Sequence, residues 1–246
     1  MIRHRVSILG VPVDCVDWQL AMKQAAELIA CGSEAKAIIA VNPEKVIQAG
    51  KNPRLLAQLR RAGLLIPDGI GVVMAARLMG LGRMERVPGS EMMPALCALA
   101  AEKGYAVFLF GAAEDVNAKA AAALQARYPM LRIAGRQNGY VKAEDLPDLI
   151  ARINASGAQL LFIALGSPKQ EIWMEENLPK LSSVRVCQGV GGTFDVLAGN
   201  VRRAPALFRA LNLEWFYRLV TNPRRIRRQA SLPLFAWRVL KARFGL

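Results

Sequence analysis

Short, unbroken apolar runs alternate along the chain with longer stretches whose apolar residues recur at helical spacing. The runs are Val6–Leu9, Ala37–Val41, Leu64–Ile66, Ala106–Phe110, Leu131–Ala134, Leu160–Leu165 and Val184–Val190. Continuous apolarity, without the in–out alternation of a half-solvated strand, predicts strands covered on both faces. The stretches between them carry helix-end signals. Asp17 is placed to N-cap a helix stopping at Gly32, Asn52 before Pro53 caps one ending at Gly63, and Ser90 caps one ending at Gly104. Strand and helix in this rhythm predict an α/β fold, a mostly parallel sheet with helices on both faces.

The pattern changes near Arg202. From there to Leu246 the chain has eleven basic residues and one acid, Glu214, so this segment holds +10 of the formal +14 and leaves only +4 on residues 1–201. We therefore divide the chain into an α/β catalytic body, 1–201, and a basic amphipathic appendage, 202–246. Large apolar residues are mixed into the charge, among them Leu207, Phe208, Trp215, Phe216, Tyr217, Phe235, Trp237, Leu240 and Phe244. Arginine interleaved with aromatics suits an anionic, greasy surface such as a phospholipid membrane. Nucleic-acid phosphate is the competing partner and a solvated basic tail the third reading. Pro223 and Pro233 predict at least two helical pieces with a bend. The last piece puts Trp237, Leu240 and Phe244 on one side and Arg238 and Lys241 on another. Arg218, Arg225 and Arg228 share a face if their segment is helical.

Composition then removes several chemistries. No secretory signal opens the sequence, and its most apolar window, Leu64 to Leu81, is broken by Pro67, Asp68 and Arg77, so membrane contact is expected to be peripheral, on the cytoplasmic side. Cys15, Cys31, Cys97 and Cys187 form no CxxC pair and read as reduced, mostly buried thiols. His4 is the single histidine. With no His or Cys cluster and no Asp-x-Asp, neither a zinc site, a Ser-His-Asp triad nor a metal bridge to a nucleotide diphosphate is supported. The expected chemistry is carboxylate-based, with no metal and no cofactor.

Ligands in such sheets bind outside the carboxyl ends of the strands. The residues following the runs are Asn42-Pro43-Glu44-Lys45, Pro67-Asp68-Gly69, Gly111-Ala112-Ala113, Gly166-Ser167-Pro168-Lys169-Gln170-Glu171 and Gly191-Gly192-Thr193-Phe194-Asp195. Small residues there let backbone N–H groups approach phosphate oxygens, which favours a nucleotide or other phosphate-bearing ligand. Asp68 follows a strand within a rigid Pro-Gly frame and can be a general base; it can equally cap the helix starting near Ile70. Asp195 has a similar choice, between capping a helix and contacting a ligand. The first strand leads into Gly10-Val11-Pro12-Val13, which lacks the GxGxxG of a dinucleotide site.

Taken with Arg86-Val87-Pro88-Gly89, Gly199-Asn200-Val201-Arg202-Arg203-Ala204-Pro205 and Leu213-Glu214-Trp215-Phe216-Tyr217-Arg218-Leu219, these strings resemble the WecG/TagA/CpsF family of bacterial glycosyltransferases, in order and spacing from about residue 6 to about 230. The resemblance implies a Rossmann-like fold. It also implies metal-independent, inverting transfer of an N-acetylmannosamine-type sugar, or its uronic acid, from a UDP-sugar donor to undecaprenyl-diphosphate-linked N-acetylglucosamine. It further implies an anionic inner-membrane surface as partner, and no nucleic acid; a homo-oligomer stays open. Asp68 falls on the family's proposed base, Asn42, Arg86 and Gln170 on its polar site residues, and Arg218, Arg225 and Arg228 on its lipid- or diphosphate-binding arginines. Gly111, Ser167, Gly191, Gly192, Thr193 and Asp195 complete the expected substrate-binding set. Ala40 stands where members transferring unmodified N-acetylmannosamine often have Thr, which leans toward the uronic-acid branch or another UDP-hexose used for exopolysaccharide.

Overall fold

The computed structural model describes residues 4–201, 204–205, 207–208, 214–221 and 230–245. Six strands form one parallel sheet: β3 (Lys36–Val41), β4 (Leu64–Pro67), β5 (Ala106–Gly111), β6 (Arg132–Gln137), β7 (Leu160–Ala164) and β8 (Val186–Gly189), in the order β4-β3-β8-β7-β5-β6. Each strand's residues divide between two apolar layers, because successive side chains point to opposite faces. Ile39, Val41, Leu65, Phe108, Phe110, Leu161 and Ile163 face one layer; Ile38, Leu64, Ile66, Val107, Leu109, Leu160 and Phe162 face the other. Helices α2 (Pro43–Ala49), α3 (Pro53–Arg61), α4 (Ile70–Leu78), α7 (Leu146–Ala155) and α8 (Lys169–Asn177) cover the first layer. The second is covered by α1 (Trp18–Cys31), α5 (Gly89–Lys103), α6 (Glu114–Arg127) and α9 (Thr193–Leu197). The α/β reading from apolar runs holds.

The first run departs from it. Val6–Leu9 does not join the parallel sheet; it belongs to a separate antiparallel pair, β1 (Arg5–Ile8) with β2 (Val11–Asp14). The turn between them is two residues long, with Leu9 at φ 52° and Gly10 at φ 83°, the doubly positive backbone that matches hairpin twist. The hairpin covers the β4 edge: buried Asp14 accepts from Leu65 N at 2.8 Å and from Arg5 Nε at 2.6 Å. At the opposite edge β6 outruns its apolar stretch to Gln137, since an edge strand tolerates polar residues on its open side.

Two helix starts match their sequence signals, with Asp17 Oδ1 accepting from Leu20 N and Asn52 Oδ1 from Leu55 N. The Asn52-capped helix stops at Arg61, with Ala62 rather than Gly63 as its C-cap. The third start also differs. Helix α5 opens at Gly89 with Pro88 as N-cap, so Ser90 lies inside its first turn, although the helix does end at left-handed Gly104. Of the cysteines only Cys97 and Cys187 are buried; Cys31 is exposed, because it ends α1 on the helix's outer side. Burial pushes both inner thiols up, Cys97 to about 12, so neither is a nucleophile.

Beyond residue 201 two helices are described with their bounds, α10 (Glu214–Thr221) and α11 (Ser231–Phe244), consistent with two pieces rather than one. Helix α11 packs against α2 and α4 and buries Phe235 and Val239 in their layer. Its opposite side leaves Trp237, Leu240 and Phe244 exposed. The expected separation of charge from that side is not observed. The Lys241 Nζ lies 5.3 Å from the centre of the Trp237 ring, because residues four apart share a helix face.

Candidate active site

All six strands of the sheet run the same way, so the loops after β3, β4, β5, β7 and β8 meet at one edge. The order places the loop after β3 between those after β4 and β8. Asn42, Asp68 and the Gly191 turn are therefore neighbours, although they are up to about 150 residues apart in sequence.

Asp68 directly follows β4, and its N–H donates to Val41 O at 2.9 Å. The next helix takes Gly69, at φ 138°, as its N-cap, so the capping reading of Asp68 is not the one adopted. Asp68 is half-buried. Opposite it α5 begins: a Cβ added to Gly89 would stand 3.7 Å from Asp68 Oδ2, 3.7 Å from Gln188 Nε2 and 3.4 Å from the Ala40 Cβ. Gln188, buried in the central strand β8, donates from Nε2 to Gly89 O at 3.0 Å and ties that helix start to the sheet. Val87 N donates to Pro67 O at 2.9 Å, which lays half-buried Arg86 alongside the end of β4.

Asn42 caps α2, with Oδ1 accepting from Lys45 N at 2.8 Å. Lys45, three residues on, forms a buried ion pair with Glu171. Gln170 is only 7% exposed and lies under the turn after β8, where Oε1 accepts from Gly191 N at 3.2 Å and Nε2 donates to Glu171 Oε1 at 3.1 Å. Gly189 lets it in, since a Cβ there would come within 2.6 Å of the Gln170 amide. Gly191 (φ 51°) and exposed Gly192 form the turn itself. Thr193 is buried, its hydroxyl donating to Val190 O at 2.7 Å. Asp195 lies in the first turn of α9, where its carbonyl accepts from Asn200 N at 3.0 Å. Half-buried Ser167 lies in the loop after β7.

Gly111 has a clear packing role. At φ 117° it presses on β7, and a Cβ would meet the Ala164 backbone at 2.5 Å. Buried Asn117 holds its carbonyl at 2.9 Å. Of the arginines expected at the diphosphates, Arg225 and Arg228 lie outside the described residues, as does the side chain of Arg218. Among the described residues no three His, Cys, Asp or Glu side chains gather as a metal site, and no helix is long and apolar enough to cross a membrane.

Around the candidate site also lie Gln188, which the sequence reading did not single out, and Gly89, Lys45 and Glu171, which it quoted in strings without assigning them a role. Gln188 had a signal, an amide in the middle of an otherwise apolar central strand. Lys45 and Glu171 stood in strand-end strings, but nothing in the sequence paired them, because each charge is ordinary until the fold buries it against the other.

The profile of the glycosyl transferase WecG/TagA/CpsF family matches residues 6–246. This chain belongs to that family. A protein of Bacillus spizizenii named N-acetylglucosaminyldiphosphoundecaprenol N-acetyl-beta-D-mannosaminyltransferase is 41% identical over 204 residues, covering 83% of this chain and 78% of its own length. A protein of the same name in Bacillus subtilis is 39% identical over the same length. The family assignment read from the strand-end strings thus holds, and the chain is a glycosyltransferase.

Proposed function

We propose that the chain transfers an N-acetylmannosamine-type sugar from its UDP donor to an N-acetylglucosaminyl-diphospho-polyprenol, with Asp68 as general base. The observation that carries this is the setting of Asp68: half-buried at a strand end, next to Asn42 and the start of α5, while the helix cap is Gly69. A carboxylate so placed can take the proton of an acceptor hydroxyl as its oxygen attacks the sugar C1. The bond from C1 to the UDP oxygen breaks on the opposite face, and inversion follows. Negative charge on the departing diphosphate is met by Arg86, by the Gly192 N–H in the turn after β8, whose neighbours Gly191 and Thr193 donate to Gln170 Oε1 and Val190 O, and by Arg218, Arg225 and Arg228. The relatives' names support the donor sugar and the acceptor.

Residues 202–246 act in this reading as a membrane-associating appendage, with the chain peripheral on the inner membrane's cytoplasmic face. The exposed Trp215, Phe216 and Val220 of α10 and Trp237, Leu240 and Phe244 of α11, set among basic residues, support it. Phe235 approaches Gly71, so α11 starts beside the helices that flank Asp68, a position from which the segment can reach over the cleft.

The test is turnover of a panel of UDP-sugars on a short-chain lipid-diphosphate N-acetylglucosamine. Asp68→Asn is expected to lower kcat by about 10²–10⁴-fold with UDP affinity little changed. Near-normal turnover would remove Asp68 from the chemistry. Activity is expected to survive EDTA, because the cleft offers arginine and N–H groups and, among the described residues, no cluster of metal ligands; a strict Mg²⁺ or Mn²⁺ requirement refutes this part.

A further inference from the structure

Lys45 and Glu171 are 7% and 2% exposed, and each stands in the helix that follows a different strand. Lys45 lies in α2, which Asn42 caps; Glu171 lies in the first turn of α8. Two charges so deep need partners, and here they gather on one carboxylate oxygen, since Glu171 Oε2 is buried without a hydrogen-bond partner among the described residues. Glu171 Oε1 accepts from Lys45 Nζ and from Gln170 Nε2, and Gln58 Nε2 donates to the Glu171 carbonyl at 2.6 Å. Burial alone would raise the Glu171 carboxyl; the Lys45 charge and the hydrogen bonds from Lys45 and Gln170 outweigh it and hold the group below its ordinary range.

The consequence falls on Gln170. An amide has a donor end and an acceptor end, and an ionised carboxylate only accepts. Glu171 therefore fixes which end of Gln170 faces it, Nε2, and so which end faces the turn after β8. Oε1 is left pointing at Gly191 N. With Glu171 neutral and amide-like, both orientations of Gln170 find a partner, and half of them set two donors against each other at Gly191.

We propose that Lys45 and Glu171 are positioning residues for the donor: the pair orients the Gln170 amide, and through it holds the Gly191 turn in the shape that receives the UDP diphosphate. This rests on the reading above that the turn meets UDP. The informative variant is Lys45→Met/Glu171→Gln, which removes both charges and strands neither. Calorimetry is expected to show UDP binding about tenfold weaker, on the scale of one charge-assisted hydrogen bond. The donor KM should rise in step, with kcat at saturating donor changed by less than about threefold. Amide exchange across residues 189–193 of the ligand-free protein should quicken. A purely structural pair would shift the melting temperature and leave UDP affinity alone. A double variant that unfolds cooperatively yet binds UDP within about twofold of the parent overturns the proposal. If the parent binds no UDP, the donor reading fails instead, and exchange decides the positioning claim: unchanged exchange at 189–193 overturns it, and faster exchange supports it.

Discussion

At the scale of single residues, the members of the candidate site have structural duties beside the chemical roles proposed for them. Gln170 is buried beneath a turn, Thr193 donates to a backbone carbonyl, and Gly111 allows two strands to touch. Glu171 shows how the two roles separate in a measurement. Its carboxyl is held low in the folded protein, against about 4.3 in an unfolded chain. The group thus contributes stability that is complete above the unfolded value and is lost as pH falls through the folded one. Chemical denaturation of the parent is expected to lose midpoint steadily below about pH 5, and the Lys45→Met/Glu171→Gln variant to lose less over the same range. Parallel curves for the two proteins would mean that other carboxylates dominate.

At the scale of elements, the strand-end loops are also helix starts, and a residue in a cap can be mistaken for one in a site. Asn42 is the sharpest case, since its Oδ1 already accepts from Lys45 N. Asn42→Ala is expected to cost about 1 kcal/mol of stability as a lost cap. Asn42→Ser keeps a capping oxygen but not the amide, so it should regain most of that stability. If Asn42 also meets substrate, kcat/KM stays depressed in the Ser variant. Recovery of both melting temperature and turnover would leave Asn42 as a cap alone.

For the whole molecule, α11 presents two apolar sides with different duties. Phe235 and Val239 extend the layer over α2 and α4, while Trp237, Leu240 and Phe244 stay in solvent next to Lys241 and Arg243. Phe235→Ala is expected to destabilise the protein by about 3–5 kcal/mol, as a large buried aromatic does on truncation. A triple change of Trp237, Leu240 and Phe244 to Ser should leave the melting temperature near that of the parent and abolish sedimentation with anionic vesicles. Retained vesicle binding would move the membrane contact to α10 or to the arginines. Raising salt should weaken binding as well, since each basic residue near an anionic surface adds about 1 kcal/mol that screening removes.

The apolar pattern along the chain was enough to set the two layers and the edge at which the strand-end loops gather. Ala37 to Ile39, or Leu160 to Ile163, are apolar at consecutive positions, and only a strand covered on both faces buries all of them. Strand direction then follows from the helices between, and with it the gathering of Asn42, Asp68 and Gly191. The family was legible in the same strings. Local pattern could not tell the Val6 run from a sheet strand, because the hairpin's role is to close an edge that only the assembled sheet creates. Nor could it decide the capping reading of Asp68, which turns on where the helix begins. Lys45 and Glu171 were the least visible, 126 positions apart. A charge reveals nothing of its burial until the chain brings its partner to it, so the tertiary structure alone decided that the pair exists.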